Sequence, residues 1–312
     1  MGAGPGGLCL ANILQKQCPS VFLTVFELSS SPRNQGGTLD LHPRAGQAAL
    51  REAGLWDAFT KHARPESDVK KMVQLDGQVL WDGNVEDKRS FDDEAKFDGR
   101  PEIDRGALME ILLDGLKQGS VQWGRKLKEV VKGQDGKNEL RFADGKVEGG
   151  WDLVVGSDGA WSVVRKALSD VKPSYSGISL VELWQLRAEE TNPWMTGYVG
   201  AGSLFSFGEG RTIQIQRIGD GSVRTYACLR KPESFIEDCG IDWTKADTAR
   251  QALVDGYFDD CGNDLKRMIL ESKDQVIPRP LYQLPIGFRW ESKSGITLLG
   301  DAAHLMTPFA GK

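Results

Sequence analysis

An α/β fold, doubly wound and interrupted by an antiparallel sheet, is what three features of this 312-residue chain predict. A glycine turn, Gly2-x-Gly4-x-x-Gly7, opens a helical pattern at the start. A β-rich apolar run, Val21 to Phe26, follows and ends on an acid, Glu27. Between Ile178 and Leu229, short aromatic-rich runs alternate with glycine turns. The first two are the signature of a helix–strand nucleotide unit, and the third of a meandering sheet.

The elements follow in order. Leu8 to Gln15 places Leu10, Ile13 and Leu14 on one helical stripe, and Cys18-Pro19-Ser20 ends it. Val21 to Glu27 reads as a strand covered on both faces, as in a parallel sheet. Arg44 to Phe59 is amphipathic. Asp76-Gly77 and Asp144-Gly145 supply the positive φ angles of tight hairpins. Glu86 to Arg100 is polar and expected at the surface. Asp104 to Leu116 reads as a helix with Asp104 as its N-cap. Trp151 to Gly156 is a short buried strand, with a short helix from Trp161 to Leu168. Leu180–Trp184, Ser203–Phe207, Thr212–Arg217 and Val223–Leu229 form the antiparallel sheet. Its aromatic stripe is expected to be sheet core, the commoner fate of such residues. Asp247 to Glu271 is helical, and Ile296 to Leu299 is the last strand.

The expected division is therefore a nucleotide domain in three pieces, 1–72, 100–172 and 281–312. A hairpin (73–99) and a sheet (173–280) belong to the inserted domain.

Composition narrows the function. The charge balance, 39 basic against 44 acidic residues for a net −5, offers no nucleic-acid footprint. No apolar run is long enough to span a bilayer, and no signal segment starts the chain. Five scattered cysteines without C-x-x-C spacing suit a reducing, cytoplasmic setting. His42, His62 and His304 lack partners at metal-ligand spacing.

The chemistry-bearing residues lie at the two ends and in the middle. Gly2 makes the turn, Gly4 lets backbone approach a pyrophosphate, and Gly7 allows close helix packing. The helix N-terminus then presents N–H groups and positive potential to phosphates. Glu27, about twenty residues on, is placed to accept ribose hydroxyls, though a surface Glu at a strand end would look the same. A second acid-bearing strand end, Gly300-Asp301-Ala302-Ala303-His304, arrives far downstream. A nicotinamide nucleotide needs no such edge, whereas flavin adenine dinucleotide (FAD) extends across the sheet to reach one.

With the middle segment Asp152-Leu153-Val154-Val155-Gly156-Ser157-Asp158-Gly159-Ala160-Trp161-Ser162-Val163-Val164-Arg165, these motifs resemble those of the FAD-dependent aromatic hydroxylases, the class A flavoprotein monooxygenases. The resemblance covers nearly the whole chain. Within that family, Gly36-Gly37-Thr38-Leu39-Asp40-Leu41-His42, Pro101-Glu102-Ile103-Asp104-Arg105 and Gly300 to Gly311 are most similar to the tetracycline-inactivating enzymes. The resemblance implies that Asp40, Arg105, Asp301 and Pro308 contact FAD, and that Arg33 helps hold NADPH (or NADH). It implies that Asp158 serves flavin and nicotinamide handling, and that Phe309 faces substrate. The implied reaction is hydroxylation of an aromatic or polycyclic small molecule with O2, through a flavin hydroperoxide. No protein catalytic acid, base or nucleophile and no metal is implied.

Two rival readings keep the fold. One is another flavin oxidoreductase; no W-x-W-x-I-P segment of the flavin halogenases is present. The other is an inactive fragment or pseudoenzyme. Both termini read as clipped: only Met1 precedes the glycine turn, where a central strand is expected, and little follows Phe309. On that reading the sheet should be split, and residues 1–312 should bind FAD poorly and not turn over.

Overall fold

The computed structural model describes residues 1–32, 36–86 and 94–310. Along the chain, α1 (Pro5–Gln17) leads to β1 (Val25–Phe26), β2 (Thr38–Asp40), α2 (Ala48–Ala53) and α3 (Trp56–Thr60). The hairpin β3 (Lys70–Val73) and β4 (Val79–Asp82) precedes the one-turn α4 (Gly83–Glu86). β5 (Glu102–Asp104) opens directly into α5 (Arg105–Asp114). β6 (Val121–Gln122) is followed by the meander β7 (Leu127–Lys132), β8 (Asn138–Phe142) and β9 (Val147–Trp151). β10 (Val154–Gly156) and α6 (Val163–Lys166) carry the middle motif. Next come β11 (Ser174–Gln185), α7 (Ala188–Thr191), α8 (Pro193–Val199), β12 (Ser203–Gly208), β13 (Arg211–Arg217) and β14 (Val223–Arg230). The chain closes with α9 (Phe235–Asp238), α10 (Ala246–Tyr257), α11 (Asn263–Leu270), β15 (Gln275–Gln283), β16 (Ile296–Leu298) and α12 (Asp301–His304).

The fold is the expected mixed α/β architecture. Two parallel pairs, β1–β6 and β10–β16, form the nucleotide-binding side. Met1 and Gly2 lie between them. Gly2 N–H donates to Phe26 O at 2.8 Å, and the Met1 amine donates to Val155 O at 2.7 Å. The parallel strands thus form two separate pairs, bridged by the backbone of Met1 and Gly2. The inserted sheet has seven strands in the order β15-β11-β14-β13-β12-β3-β4. Its β3–β4 hairpin starts at Lys70 and β15 runs to Gln283, so the sheet claims three residues more at each edge than expected.

One face of that sheet is the larger core. Val181, Leu183, Leu204, Ile213, Ile215 and Ala227 pack under Met195 and Val199 of α8, Leu253 of α10 and Leu265 and Ile269 of α11. Each large apolar side chain buried this way contributes roughly 1.5–3 kcal/mol. A second core joins α1 and α5 through Leu8, Ala11, Leu108 and Leu112.

Several local expectations change. The run from Val21 to Glu27 is paired only at Val25 and Phe26. Its partner β6 is two residues long, and Phe22 is 82% exposed, stacked on Trp151 at 6.0 Å. Trp151 to Gly156 is not one strand: Trp151 ends β9, Leu153 is exposed, and β10 begins at Val154. Asp104 does occupy the N-cap position of α5 but makes no capping bond. Its Oδ1 instead accepts from Arg64 at 2.8 Å and from Gly219 N–H at 3.0 Å. Gly54, with φ of 76°, breaks the amphipathic stretch into α2 and α3. Residues 87–93, within the expected polar surface stretch, lie outside the described residues.

The aromatic stripe is also corrected. Phe207 is 54% exposed and Phe205 half-buried, while their alternating neighbours Leu204 and Ser206 are fully buried. Among the described residues, α8, α10 and α11 pack on the Leu204 face, and the aromatic residues stand on the other.

Buried Glu102 in β5 yields a stability prediction. Burial pushes its carboxyl up to about 7, against the opposing pull of Arg64. Its folded value lies above its ordinary 4.5, so ionisation opposes folding. That cost is absent below about pH 4.5, grows through this window and is complete above about pH 7. Glu102→Gln is therefore expected to stabilise the protein by roughly 2–3 kcal/mol at pH 8 and hardly at pH 4. Urea unfolding at the two pH values checks it; equal shifts at both would exclude the carboxylate's burial as the cause.

Candidate functional site

The site begins where the glycine turn meets the middle motif. Ser157 N–H donates to Met1 O at 2.8 Å, and Ser157 Oγ donates to Met1 O at 2.8 Å and Gly2 O at 3.0 Å. A Cβ on Gly2 would lie 2.3 Å from Ser157 O, and one on Gly7 would lie 2.3 Å from Gly2 O. Neither position tolerates a side chain. Gly4 differs: a Cβ there meets nothing within 4 Å. Its open side belongs to a cleft of about 630 Å³ in front of the α1 N-terminus. Met1, Gly2, Gly4, Gly7, Glu27, Arg105, Asp158 and Asp301 line it.

Glu27 is buried at the end of β1. Its carboxylate accepts from Ala3 N–H at 2.8 Å and from Ser29 N–H at 2.9 Å, which holds it at the cleft wall. Arg105, the first residue of α5, is held by a bond from its N–H to Gly37 O at 2.9 Å. Asp301 is exposed at the start of α12, reached through Gly300 with φ of 62°.

Asp158 lines the cleft, but its carboxylate serves the chain first. It accepts from Ser162 Oγ at 2.5 Å and from the N–H groups of Val163 (2.7 Å) and Val164 (3.2 Å), and so caps α6. Arg165 is 3% exposed. It donates to Ala302 O at 3.0 Å and to Ala160 O at 2.6 Å, tying the middle motif to α12.

The structure brings seven predicted residues to one cleft: Gly2, Gly4, Gly7, Glu27, Arg105, Asp158 and Asp301. Asp40 is not among them. Its carboxylate faces Arg100 at 3.4 Å and His42 at 3.8 Å, at the end of β2 where Asp40 pairs with Glu102 of β5. Pro308 is exposed and Phe309 half-buried, and neither lines the cleft. Arg33 lies outside the described residues. Sequence reasoning missed Arg125, Lys126 and Trp161, which also line the cleft. Arg125 is fixed by Glu148 at 2.7 Å and packs on the Phe142 ring at 4.1 Å. The available signal was a basic pair directly before a strand, β7.

The aromatic face of the seven-stranded sheet approaches the cleft at Gly36–Gly37, where Arg105 N–H donates to Gly37 O and Arg224 and the Tyr226 hydroxyl lie against the two glycines. Gln214 is paired with Phe205 on one side and Tyr226 on the other, and Tyr226 with Glu182. Glu182 accepts from Arg224 at 2.6 Å and Trp184 Nε1 at 2.8 Å, and pairs with Arg279 at 3.2 Å. The Arg224 guanidinium lies 3.3 Å over the Trp184 ring, and its far nitrogen packs against Gly36. Burial, with the negative charge of Glu182 second, pushes the Tyr226 phenol up to about 12, so it stays a hydrogen-bond donor. Arg105 reaches close enough to Tyr226 to act on its charge from the cleft side.

This cleft fits FAD. A glycine cradle opens beside a helix N-terminus, cations (Arg105, Arg125, Lys126) flank it, and an acid stands at each strand end. Among the described residues no group of three or more His, Cys, Asp or Glu could hold a metal. No helix among them is long and apolar enough to cross a membrane.

Comparison with known proteins agrees. The family model for an FAD binding domain matches residues 1–194. Monooxygenase asqM of Emericella nidulans is 29% identical over an alignment covering all of this chain and 79% of its own length. Monooxygenase penA of Penicillium thymicola is 28% identical, with 100% and 80% covered. Among solved structures, Klebsiella pneumoniae HpxO in complex with FAD and uric acid superposes with a TM-score of 0.75 at 20% identity, covering 99% of this chain and 74% of that one. The tetracycline destructase Tet(55) gives 0.69 at 18%, covering 99% and 74%. At these identities the two structures share the fold.

The geometry separates two glycines. Gly4 has ordinary backbone angles (φ −79°, ψ 173°) and open space beyond it. Gly4→Leu is expected to melt within about 1 kcal/mol of the parent yet lose FAD binding, because the side chain fills the cradle. Gly7→Ala is expected to lose roughly 1–3 kcal/mol by overpacking against backbone. Flavin titration with thermal unfolding reads both. Wild-type FAD affinity in Gly4→Leu would remove the cradle from the site.

Proposed function

The chain belongs to the FAD binding domain family and is an FAD-dependent monooxygenase, and on that premise we propose that it hydroxylates an aromatic or polycyclic small molecule on the open face of its seven-stranded sheet. NADPH (or NADH) is the proposed reductant and O2 the co-substrate. The observation that carries this reading is the junction at Gly36–Gly37. There the cofactor cleft, through Arg105, meets the sheet face, through Tyr226 and Arg224.

When bound, FAD supplies the hydride acceptance and oxygen activation that no protein side chain provides. The chain's own residues have narrower tasks. Gly2, Gly4 and Gly7 let the α1 N-terminus approach the pyrophosphate, Glu27 accepts ribose hydroxyls, and Asp301 stands at the opposite strand end. Arg105 sets positive charge where cleft and sheet meet, and can offset negative charge that builds up there. Tyr226 holds its proton at the phenol oxygen and donates to a bound substrate. The Glu182–Arg224–Trp184 cluster keeps the sheet seated on the Gly36–Gly37 segment, limiting water entry between the domains. Asp158 acts as the cap that shapes the α6 turn beside the cleft.

The substrate is left at the class level by the resemblance. The likeness to Tet(55) is one of fold and adds no support for a tetracycline in particular.

The expected outcome is faster NADPH oxidation in the presence of an electron-rich phenol or fused-ring arene, with a hydroxylated product detected by mass spectrometry. Carrying one atom from 18O2 into that product would establish monooxygenation. A flat rate over a broad panel, or hydrogen peroxide as the sole oxygen product, would overturn the hydroxylase reading.

A further inference from the structure

Trp161 lines the cofactor cleft with an indole that is 60% exposed. Among the described residues of the lining it carries the one readily oxidised aromatic ring, since the other ring there is the phenyl of Phe26. Its place along the cleft follows from the layout of the dinucleotide. Glu27 takes the ribose of the adenosine half and the α1 N-terminus takes the pyrophosphate, so the flavin half extends past them towards Asp301. Trp161 stands in that half. Arg165 bonds Ala160 O at 2.6 Å and Ala302 O at 3.0 Å, which ties the turn carrying Trp161 to α12.

Behind the indole, aromatic rings lead out of the cleft. The Trp161 and Tyr282 rings meet edge to face with centroids 5.1 Å apart. Tyr282, on β15, donates its phenol O–H to Glu233 Oε1 at 2.6 Å, the length of a charge-assisted bond. Glu233 is exposed, so a proton it receives passes on to water. Tyr175 lies next, 6.1 Å from Tyr282, but its phenol donates to Lys231 O at 2.8 Å.

That difference decides which tyrosine can give up an electron. An oxidised phenol is a strong acid, and it forms readily only where a base takes its proton as the electron leaves. A carboxylate is such a base and a backbone carbonyl is not. Tyr282 is therefore the donor, and Tyr175 packs against it as a support. The hydrogen bond to Glu233, ahead of burial, pushes the Tyr282 phenol up, so it keeps its proton until it is oxidised.

We propose that Trp161, Tyr282 and Glu233 form an electron-supply path that quenches strongly oxidising states of the cofactor held in the cleft. A photoexcited, oxidised flavin ring takes one electron from Trp161. Trp161 regains one electron from Tyr282, and the Tyr282 phenol proton moves to Glu233. In sum the flavin gains one electron, Tyr282 loses one electron and one proton, and Glu233 gains that proton. The oxidising equivalent thereby leaves the cleft for Tyr282. The inference rests on the cofactor cleft and not on the substrate reading of the sheet face.

Flash photolysis of the full chain loaded with FAD reads the path. A blue flash is expected to produce a neutral tyrosyl radical in the wild type, with the steady-state flavin emission quenched. Trp161→Phe is expected to lose the tyrosyl signal and recover the flavin emission. Tyr282→Phe is expected to lose the tyrosyl signal and to leave a long-lived indole radical in its place, a gain of signal that a misfolded variant cannot produce. Glu233→Gln is expected to do the same, whereas Tyr175→Phe keeps the wild-type response. No tyrosyl radical in the flavin-loaded wild type, an unchanged tyrosyl signal in Trp161→Phe or Tyr282→Phe, or its loss in Tyr175→Phe would overturn the proposal. None of these readings requires turnover. A protein that shows the path and hydroxylates no arene would lose the substrate reading and keep this one.

Discussion

The contact between Ser157 and the glycine turn is the constraint on which the cofactor cleft depends. Three hydrogen bonds from Ser157 hold Met1 and Gly2, and the space between them admits no Cβ at Gly2 or Gly7. That approach aims the α1 N-terminus into the cleft and sets the middle motif beside it. It also places Met1 and Gly2 between two otherwise separate parallel pairs, where their backbone groups bond to Phe26 and Val155. The middle motif is then tied to the α12 segment by Arg165. Its buried guanidinium takes the carbonyls of Ala160 and Ala302.

The inserted sheet divides its labour by face. Strand alternation sends Leu204, Ile213, Ile215, Ala227 and Leu183 to the helices, and Phe205, Gln214, Tyr226 and Glu182 to the other side. Burial of the first set supplies stability. The second set carries polar and charged groups, which need partners when buried. Glu182 is the exception on that face, since its carboxylate binds Arg224, Arg279 and Trp184 at once. An ion cluster of this kind stabilises little on balance, yet removing one member leaves an uncompensated buried charge. Its effect is to fix where the sheet touches Gly36.

Much of this was legible in the chain. Asp76-Gly77 and Asp144-Gly145 were read as hairpins and are hairpins, because positive φ is a local demand. Three of the four strands between Ile178 and Leu229 were placed within one residue of their ends, because aromatic and β-branched runs between glycines leave few alternatives, whereas β11 starts six residues before the expected Leu180. Gly2, Gly4, Gly7, Glu27 and Asp301 were identified by spacing, and the cleft contains all five. Other features were not legible. Val21 to Glu27 looked like a buried strand, but the length of its partner β6 decided how much of it pairs. Asp104 had the identity and position of a cap, but Arg64 and Gly219 from elsewhere in the chain claimed its carboxylate. Asp40 carried the motif but is drawn to Arg100 and His42.

The sequence by itself determined the family and the cofactor class, through three motifs that stand in a fixed order along the chain, and the glycines of the turn stood out because their spacing is a local backbone demand. Which face of the inserted sheet stays open was decided only by the tertiary structure. The alternation separates an aliphatic face (Leu183, Leu204, Ile213, Ile215, Ala227) from an aromatic and polar one (Trp184, Phe205, Phe207, Tyr226), but which helices pack on the first depends on contacts between segments far apart in the chain. The same holds for the cations. Arg224 and Arg279, far apart in the chain, converge on Glu182 only in the fold.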